Sequence, residues 1–295
     1  MKSTAIGIDL GGTRVKGVVI DLEGRVIEQL YHTIEGDRWK LSIIGMMEEL
    51  SRKVPGNHLV GLSAPGIPNE DNSSIAYMPG RLQGLEGLKW REVFGQNIWV
   101  ANDAIAALAA EVRFGVAQQV KHAVMLTLGT GVGGAILVNR QIYQGNFQKA
   151  GHAGHMSVNH DGEQDITGMP GSLEDAIGNC TIQKRSLGRY NDTHELLYNF
   201  EKGDHFARWL WLDSVRKLSI GIASITNILS PEMIILGGGI TEAGPNLFDP
   251  LNQFLSLYEW RAGGNKTQLV KAEFGDLSGA IGAASFAMMQ QDLIK

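Results

Sequence analysis

A carboxylate, two glycines and a threonine stand between two apolar runs near the start of the chain, Ile6-Gly7-Ile8-Asp9-Leu10-Gly11-Gly12-Thr13-Arg14-Val15-Lys16-Gly17-Val18-Val19-Ile20. The apolar runs predict a β-hairpin. Lacking Cβ atoms, Gly11 and Gly12 can take positive φ and bring backbone N–H groups close to a phosphate, and Thr13 adds a hydroxyl. Asp9, at the rim of that turn, is placed to hold Mg²⁺ directly or through water, because hard cations take oxygen ligands and keep waters beside phosphates. An ordinary glycine hairpin has the same pattern. A carboxylate closing a buried apolar strand, however, costs stability unless something pairs with it.

The same theme returns at Ala123-Val124-Met125-Leu126-Thr127-Leu128-Gly129-Thr130-Gly131-Val132-Gly133-Gly134-Ala135-Ile136-Leu137-Val138. Two such hairpins point to an internal duplication, each half supplying one phosphate loop to a shared cleft. Between them a short apolar strand over 98–101 runs into Asn102-Asp103 and a helix over 104–114. Asn and Asp are favoured N-cap residues. A carboxylate in the first turn is also favoured by the helix dipole and faces the carboxyl edge of the sheet, where open α/β sheets bind ligands. Capping and chemistry are therefore compatible in this pair. Further on, Met233-Ile234-Ile235-Leu236 runs into Gly237, Gly238 and Gly239, bare backbone against which a flat ring could lie.

The elements that position these residues follow from periodicity. Residues 26–32 continue the first hairpin as a third strand, and 41–53 form an amphipathic helix with Ile43, Ile44, Met47 and Leu50 on one face, ended by Pro55-Gly56. Residues 59–62 are a short buried strand, and 63–69 a loop whose proline and glycine forbid regular structure. Residues 149–174 are polar and aperiodic, an irregular loop expected to carry function. Helices are predicted over 206–229, ended by Ser230-Pro231, and over 280–293.

At 295 residues the chain fits two domains of roughly 150 residues each. A net charge of −5 without any cluster of Lys and Arg excludes a nucleic-acid partner. The single cysteine, Cys180, rules out an internal disulfide and favours a reducing compartment; it is expected to be a small buried hydrophobe. Met1-Lys2-Ser3-Thr4 runs directly into a strand broken by Asp9, so neither a signal peptide nor a membrane span is expected, and the protein is expected to be cytoplasmic.

Taken in order, these motifs resemble one family, the ROK (repressor, open reading frame, kinase) sugar kinases of the actin-like ATPase superfamily. The residues that carry the resemblance are Asp9-Leu10-Gly11-Gly12-Thr13 with Lys16, Ala64-Pro65-Gly66, Asn102-Asp103, Leu128-Gly129-Thr130-Gly131-Val132-Gly133-Gly134, Ala150-Gly151 with Gly154-His155, Gly171-Ser172-Leu173-Glu174, and Leu236-Gly237-Gly238-Gly239-Ile240. They span nearly the whole chain, and their ordered combination is specific where each alone is weak.

The resemblance implies an α/β chain of two ribonuclease-H-like domains with a cleft between them. Residues 1–115 plus about 280–295 would form the first, and 116–279 the second, carrying the sugar loop and adenosine motif. It implies phosphoryl transfer from ATP to a hexose hydroxyl, most often O6, with Mg²⁺, in a homodimer. By the same resemblance Asp103 takes the proton of the attacking hydroxyl, and Gly66, Asn102, Asp103, His152, His155 and Glu174 contact the sugar. The turns at Gly11, Gly12 and Thr13 and at Thr130 and Gly131 cradle the phosphates, Asp9 positions Mg²⁺, and Gly237, Gly238 and Gly239 face the adenosine. Lys16 also matches, but a lysine after a hairpin is commonly a solvated end and is left out of the catalytic set. Repressors of the family carry a helix-turn-helix domain before the first glycine hairpin. This chain has almost nothing there, which favours the enzyme branch.

Two departures stand out. The family usually writes Ala-Gly-Glu-x-Gly-His, and His152 stands where the glutamate contacts sugar hydroxyls near C1 and C2. A carboxylate accepts several hydrogen bonds whereas a neutral imidazole offers one donor and one acceptor, so glucose specificity does not follow. Many members also build a zinc site from the final histidine and three cysteines. Asp165, Thr167 and Ser172 stand in the cysteine places, so no structural zinc of that type is expected, while Glu174 keeps its register. Zinc in such a site orients the histidine that touches the sugar. Two readings of Asp165 stay open: a solvated loop residue, or a carboxylate that takes over by accepting a hydrogen bond from one ring nitrogen of His155, leaving the other for the sugar.

The leading reading is an ATP-dependent carbohydrate kinase. One alternative, motivated by His152, is a catalytically impaired sugar-binding sensor, and another is a phosphotransferase or ATPase with a non-sugar substrate. Asp9, Asn102, Asp103 and both glycine turns argue against the first, and His155 and Glu174 against the second.

Overall fold

A computed structural model describes residues 4–80 and 82–294. In chain order the elements begin with β1 (Thr4–Leu10), β2 (Arg14–Asp21), β3 (Val26–Thr33), α1 (Trp39–Lys53), β4 (Leu59–Ala64), β5 (Ile67–Pro68), β6 (Ile75–Tyr77), α2 (Trp90–Phe94), β7 (Trp99–Asn102) and α3 (Asp103–Arg113). They continue with β8 (Ala123–Leu128), β9 (Val132–Val138), β10 (Gln141–Tyr143), α4 (Leu173–Ile177), α5 (Ile182–Arg185), α6 (Thr193–Glu201), α7 (His205–Leu229), β11 (Met233–Gly237), α8 (Pro245–Tyr258), β12 (Gln268–Lys271) and α9 (Ser278–Ile294). Met1, Lys2 and Ser3, on which the expectation of no signal peptide partly rests, lie outside the described residues. No helix among the described residues is long and apolar enough to cross a membrane.

The first sheet has the order β3-β2-β1-β4-β7. Strand β1 runs antiparallel to β2 and parallel to β4, which is parallel to β7. Side chains alternate across a strand, so Ile6, Ile8 and Leu10 of β1 share a core with Trp39, Ile43, Met46 and Leu50 of α1 and Trp90 of α2. Ala5 lies on the other face in a core with Ala110 of α3 and with Ala280, Ala284 and Ala287 of α9. That second face is cut from small residues: a Cβ on Gly7 would overlap the Ala280 carbonyl oxygen, and one on Gly61 that of Ala283. Helix α9 therefore lies close on the sheet, which brings its first turn to the end of β1.

The second sheet has the order β10-β9-β8-β11-β12, with β8, β11 and β12 parallel and β9 antiparallel to β10. Position for position it repeats the first, so the kinship of the two glycine hairpins extends to the topology around them. By compactness the chain divides into two units, Met1–Val120 with Ile136–Ala150 and Ala272–Lys295, and Lys121–Ala135 with Gly151–Lys271.

Two local expectations are corrected, and one helix had no expectation at all. Residues 63–69 are not wholly irregular: Ser63 and Ala64 end β4, and β5 pairs antiparallel with β6, Ile67 opposite Tyr77 and Pro68 opposite Ile75. A proline is tolerated there because the ribbon has two strands and each is an edge. The polar segment 149–174 ends in structure, since Leu173 and Glu174 open α4. Helix α8 escaped sequence reading because it begins at Pro245 and contains Pro250, both of which argue against a helix.

Candidate active site

In the first unit the candidate residues collect at the carboxyl ends of three neighbouring parallel strands. Asp9 of β1 is opposite Ser63 of β4, and Ala64 is opposite Asn102 of β7. The register makes the first contact: Ser63 Oγ donates to Asp9 Oδ1 at 2.8 Å. Lys16, directly opposite Asp9 on β2, is bound by Asp276, its Nζ donating to Oδ1 at 2.6 Å and to the backbone oxygen at 2.9 Å. An ideal Cβ on Gly279, in the first turn of α9, would lie within 2.6 Å of both Asp9 oxygens. The Asp9 carboxylate thus rests on the positive end of that helix.

The Asp9 carboxyl is held above its ordinary range, first by burial and further by Asp103 and Asp276, against the opposing pull of Ser63 and Lys16. A desolvated carboxylate with two more carboxylates in its field favours a cation. Among the described residues no three His, Cys, Asp or Glu side chains form a metal cluster. One carboxylate supplemented by water and phosphate oxygens suits Mg²⁺ rather than a metal that demands a full protein cage.

The Asn102-Asp103 pair divides its labour. Asn102 is 8% exposed and N-caps α3, its Oδ1 accepting the Ala104 N–H at 3.0 Å, while Nδ2 donates to the Gly66 carbonyl at 3.0 Å. Gly66 takes φ +104°, and a Cβ there would crowd Tyr77 O and the Ile75 side chain. Asp103, the first helical residue, is exposed, with Oδ1 accepting the Ala104 N–H at 2.8 Å.

The glycine turns work differently from the expectation. Neither Gly11 and Gly12 nor Gly129 and Gly131 adopt positive φ. Their benefit is room: nothing lies within 4 Å of a Cβ built on Gly12 or Gly129, and one on Gly131 would overlap Glu174 Oε2. The first turn is closed by Gly11 N–H to Arg14 O at 3.0 Å and anchored by Ile34 N–H to Thr13 O at 2.9 Å.

In the second unit the other turn is bracketed from one side. Asn179 N–H donates to Gly129 O at 3.0 Å and Cys180 N–H to Thr130 O at 2.8 Å. Gly129 N–H is taken by Gly131 O at 3.0 Å, and Val132 N–H by Glu174 Oε2 at 2.9 Å. Among the described residues the amides of Thr130 and Gly131 donate to no acceptor, leaving two adjacent donors for an anion. Cys180, expected to be buried, is exposed, because its place on this bracket is fixed by its amide rather than by its side chain. Gly237 ends β11, Gly238 takes φ +86° with no space for a Cβ beside Leu128 O, and Gly239 has open space around it.

His152 stands just before the 3₁₀ turn Ala153–His155, its carbonyl accepting the His155 N–H at 3.2 Å. His155 Nδ1 donates to Asp165 Oδ2 at 2.8 Å, which decides between the two readings of Asp165 in favour of the contact. The Asp165 side chain is 1% exposed. Its Oδ1 accepts from Thr167 N–H at 2.8 Å, Thr167 Oγ1 at 2.7 Å and Met169 N–H at 3.0 Å. Ser172 caps α4 by accepting the Asp175 N–H at 3.2 Å. Each residue in a cysteine place therefore has a role in a hydrogen-bonded turn.

Burial pushes the Asp165 carboxyl up, but the hydrogen bonds from His155, Thr167 and Met169 outweigh it and hold it well below the ordinary value of 3.8. A lowered folded pKa stabilises the fold above the unfolded value and loses that effect as pH falls below it. Asp165→Ala is accordingly expected to cost about 2–3 kcal/mol at pH 7. The penalty should shrink as pH drops below 3.8, as measured by denaturant unfolding at several pH values. An unchanged midpoint at pH 7 would remove the carboxylate from this role.

Sequence reading missed Ser63, Asp276, Gly279 and the bracket at 178–180. Ser63 carried a signal, since it precedes Ala64-Pro65-Gly66 at a strand end; the others act across the chain and carried none.

The sequence profile of the ROK family matches residues 5–290. The chain belongs to the ROK family. Within that family it is 28% identical to a glucokinase of Streptomyces coelicolor over 310 aligned residues, covering 96% of each chain. It is 24% identical to a xylose repressor of Bacillus spizizenii, covering 96% of this chain and 77% of the repressor. Its fold matches the ROK hexokinase from Thermus thermophilus with a TM-score of 0.87 at 26% identity, covering 98% of this chain and 99% of that one. The mixed α/β fold with two sheets, of the actin-like ATPase kind, is thus the one the sequence implied.

Proposed function

We propose that this ROK protein is an ATP-dependent carbohydrate kinase that phosphorylates a hexose or hexose derivative, at O6, with Asp103 as general base. The observation that carries the reading is the exposed Asp103 carboxylate beside its buried neighbour Asn102, with Asp9 in its field. The glucokinase and hexokinase relatives support the same reaction class.

Asp103 accepts the hydroxyl proton as the sugar oxygen attacks the γ-phosphorus, the bond from that phosphorus to the bridging oxygen breaks, and ADP departs with the electron pair. General-base assistance of this kind contributes about 10²–10⁴-fold. In the second unit the amides of Thr130 and Gly131 hold phosphate oxygens and Gly239 offers bare backbone to the adenosine; in the first unit, where the Gly11 amide closes its own turn, the amides of Gly12 and Thr13 hold phosphate oxygens. Mg²⁺ held through Asp9 would neutralise charge on the phosphates, the main requirement of phosphoryl transfer beyond positioning. Glu174, His155, His152 and Asn102 hold the sugar hydroxyls. Because Nδ1 of His155 donates to the Asp165 carboxylate, Nε2 is the ring nitrogen left for a sugar hydroxyl.

The test is ADP release across a panel of hexoses, 2-acetamido sugars and glycosides. One class should give sugar-dependent turnover with phosphate on O6 by NMR. A second reading, a sugar sensor without turnover, is kept because the xylose repressor aligns over 96% of this chain; sugar-dependent thermal stabilisation without ADP release would favour it.

A further inference from the structure

We infer that Arg185 is a positioning residue for the second phosphate turn, fixing through Gly178 and Thr181 the backbone bracket that holds Gly129 and Thr130. The inference rests on the kinase reading above. Arg185 ends α5, and each arm of its guanidinium meets a neutral acceptor. Nε donates to Thr181 Oγ1 at 3.0 Å, Nη1 to Ser214 Oγ at 2.7 Å and Nη2 to the Gly178 carbonyl at 3.0 Å. Among the described residues it is in no ion pair.

A largely buried guanidinium without a carboxylate at contact distance is unfavourable unless its planar fork is matched on all sides. Burial pushes its pKa down to about 10, opposed by Cys180, Asp175 and Asp213, so it stays charged at neutral pH. What the fork holds is the start of the bracket. Gly178 follows the last turn of α4, and its carbonyl receives both Arg185 Nη2 and, at 3.2 Å, Thr181 Oγ1, which also donates to Asp175 O at 2.9 Å. The next two amides are those that bind Gly129 O and Thr130 O.

The other end of the fork is anchored in α7, where Ser214 Oγ donates to Leu210 O at 3.0 Å. Asn179 is fixed separately, its Oδ1 accepting the Thr193 N–H at 2.7 Å and Oγ1 at 2.9 Å. With its two carbonyls drawn toward the bracket, the turn must present the Thr130 and Gly131 amides on the opposite side. Loosening Gly178 frees those peptide planes to rotate and misaligns the donors, with little reason to disturb His155 and Asp165, which share no hydrogen bond with Arg185.

The test compares Arg185→Met, Arg185→Lys and Ser214→Ala with the wild type in two measurements: binding of a fluorescent ATP analogue without sugar, and the separate KM values for ATP and sugar. Arg185→Met is expected to weaken nucleotide binding and raise KM for ATP about tenfold, with KM for sugar within about twofold. Arg185→Lys should recover part of the loss, and Ser214→Ala should give about a threefold shift in the same direction. A merely structural arginine would lower the melting temperature and move both KM values together, which overturns the inference, as does a folded variant with unchanged nucleotide binding. If Arg185→Met does not fold, Ser214→Ala decides, and unchanged binding there overturns it as well. A wild type that binds no adenine nucleotide overturns the kinase reading and this inference with it, and is recognised because the failure lies in the wild type.

Discussion

Asp103→Asn is expected to lower kcat by about 10²–10⁴-fold while leaving both KM values and the fold close to wild type. Asparagine has the shape of aspartate but cannot take a proton from an alcohol. The helix keeps its cap, because the Ala104 N–H is also accepted by Asn102 Oδ1 at 3.0 Å. Losing one negative charge from the first turn costs only about 0.3–1 kcal/mol. The substitution therefore separates chemistry from architecture in a way that a substitution at Asn102 cannot, since that residue both caps α3 and holds Gly66 at 3.0 Å. The measurement is steady-state ADP release at saturating sugar and ATP, with a melting curve as control. Retention of more than a tenth of wild-type kcat would mean that the hydroxyl proton leaves by another route.

Much of this site was legible because its residues sit where regular strands stop. An apolar run ending in a carboxylate, in Asn-Asp or in a glycine cluster marks a strand end, and parallel neighbours bring those ends to one edge. Asp9, Asn102 and Asp103 share an edge for that reason. The Asp165–His155 contact was reached only as one of two readings, through the zinc site that the resemblance implies and the missing thiolates leave unfilled, and the structure decides for it against a solvated loop residue. The illegible partners are those whose place depends on the other end of the chain. Asp276 meets Lys16 across 260 residues, and Gly279 meets Asp9 only because small residues on one face of β1 and β4 let α9 lie close. The glycine turns were assigned for the wrong reason: their backbones are ordinary, and the absence of a side chain gives space rather than an unusual φ.

The second large effect is expected at a residue no motif contains. Gly279→Ala places a methyl group within 2.6 Å of both Asp9 oxygens. Gly279 is helical and not left-handed, so alanine suits its backbone and adds up to about 1 kcal/mol of helix propensity. The conflict falls on Asp9, whose short side chain is fixed by Ser63 Oγ at 2.8 Å and flanked by the ends of β2 and β4. To clear the methyl the carboxylate must turn, break that hydrogen bond and leave the position from which, on the proposed reading, it would hold the cation. We expect kcat/KM for ATP to fall at least about 100-fold, equivalent to roughly 2.7 kcal/mol of transition-state stabilisation, while the melting temperature moves by no more than a few degrees. Because the three atoms nearest that methyl all belong to Asp9, it should have little further effect once Asp9 is alanine, and the Asp9→Ala/Gly279→Ala pair should be about as active as Asp9→Ala by itself. Additive losses, or ATP kinetics within about threefold of wild type in Gly279→Ala, would show that Asp9 does its work from somewhere other than the first turn of α9.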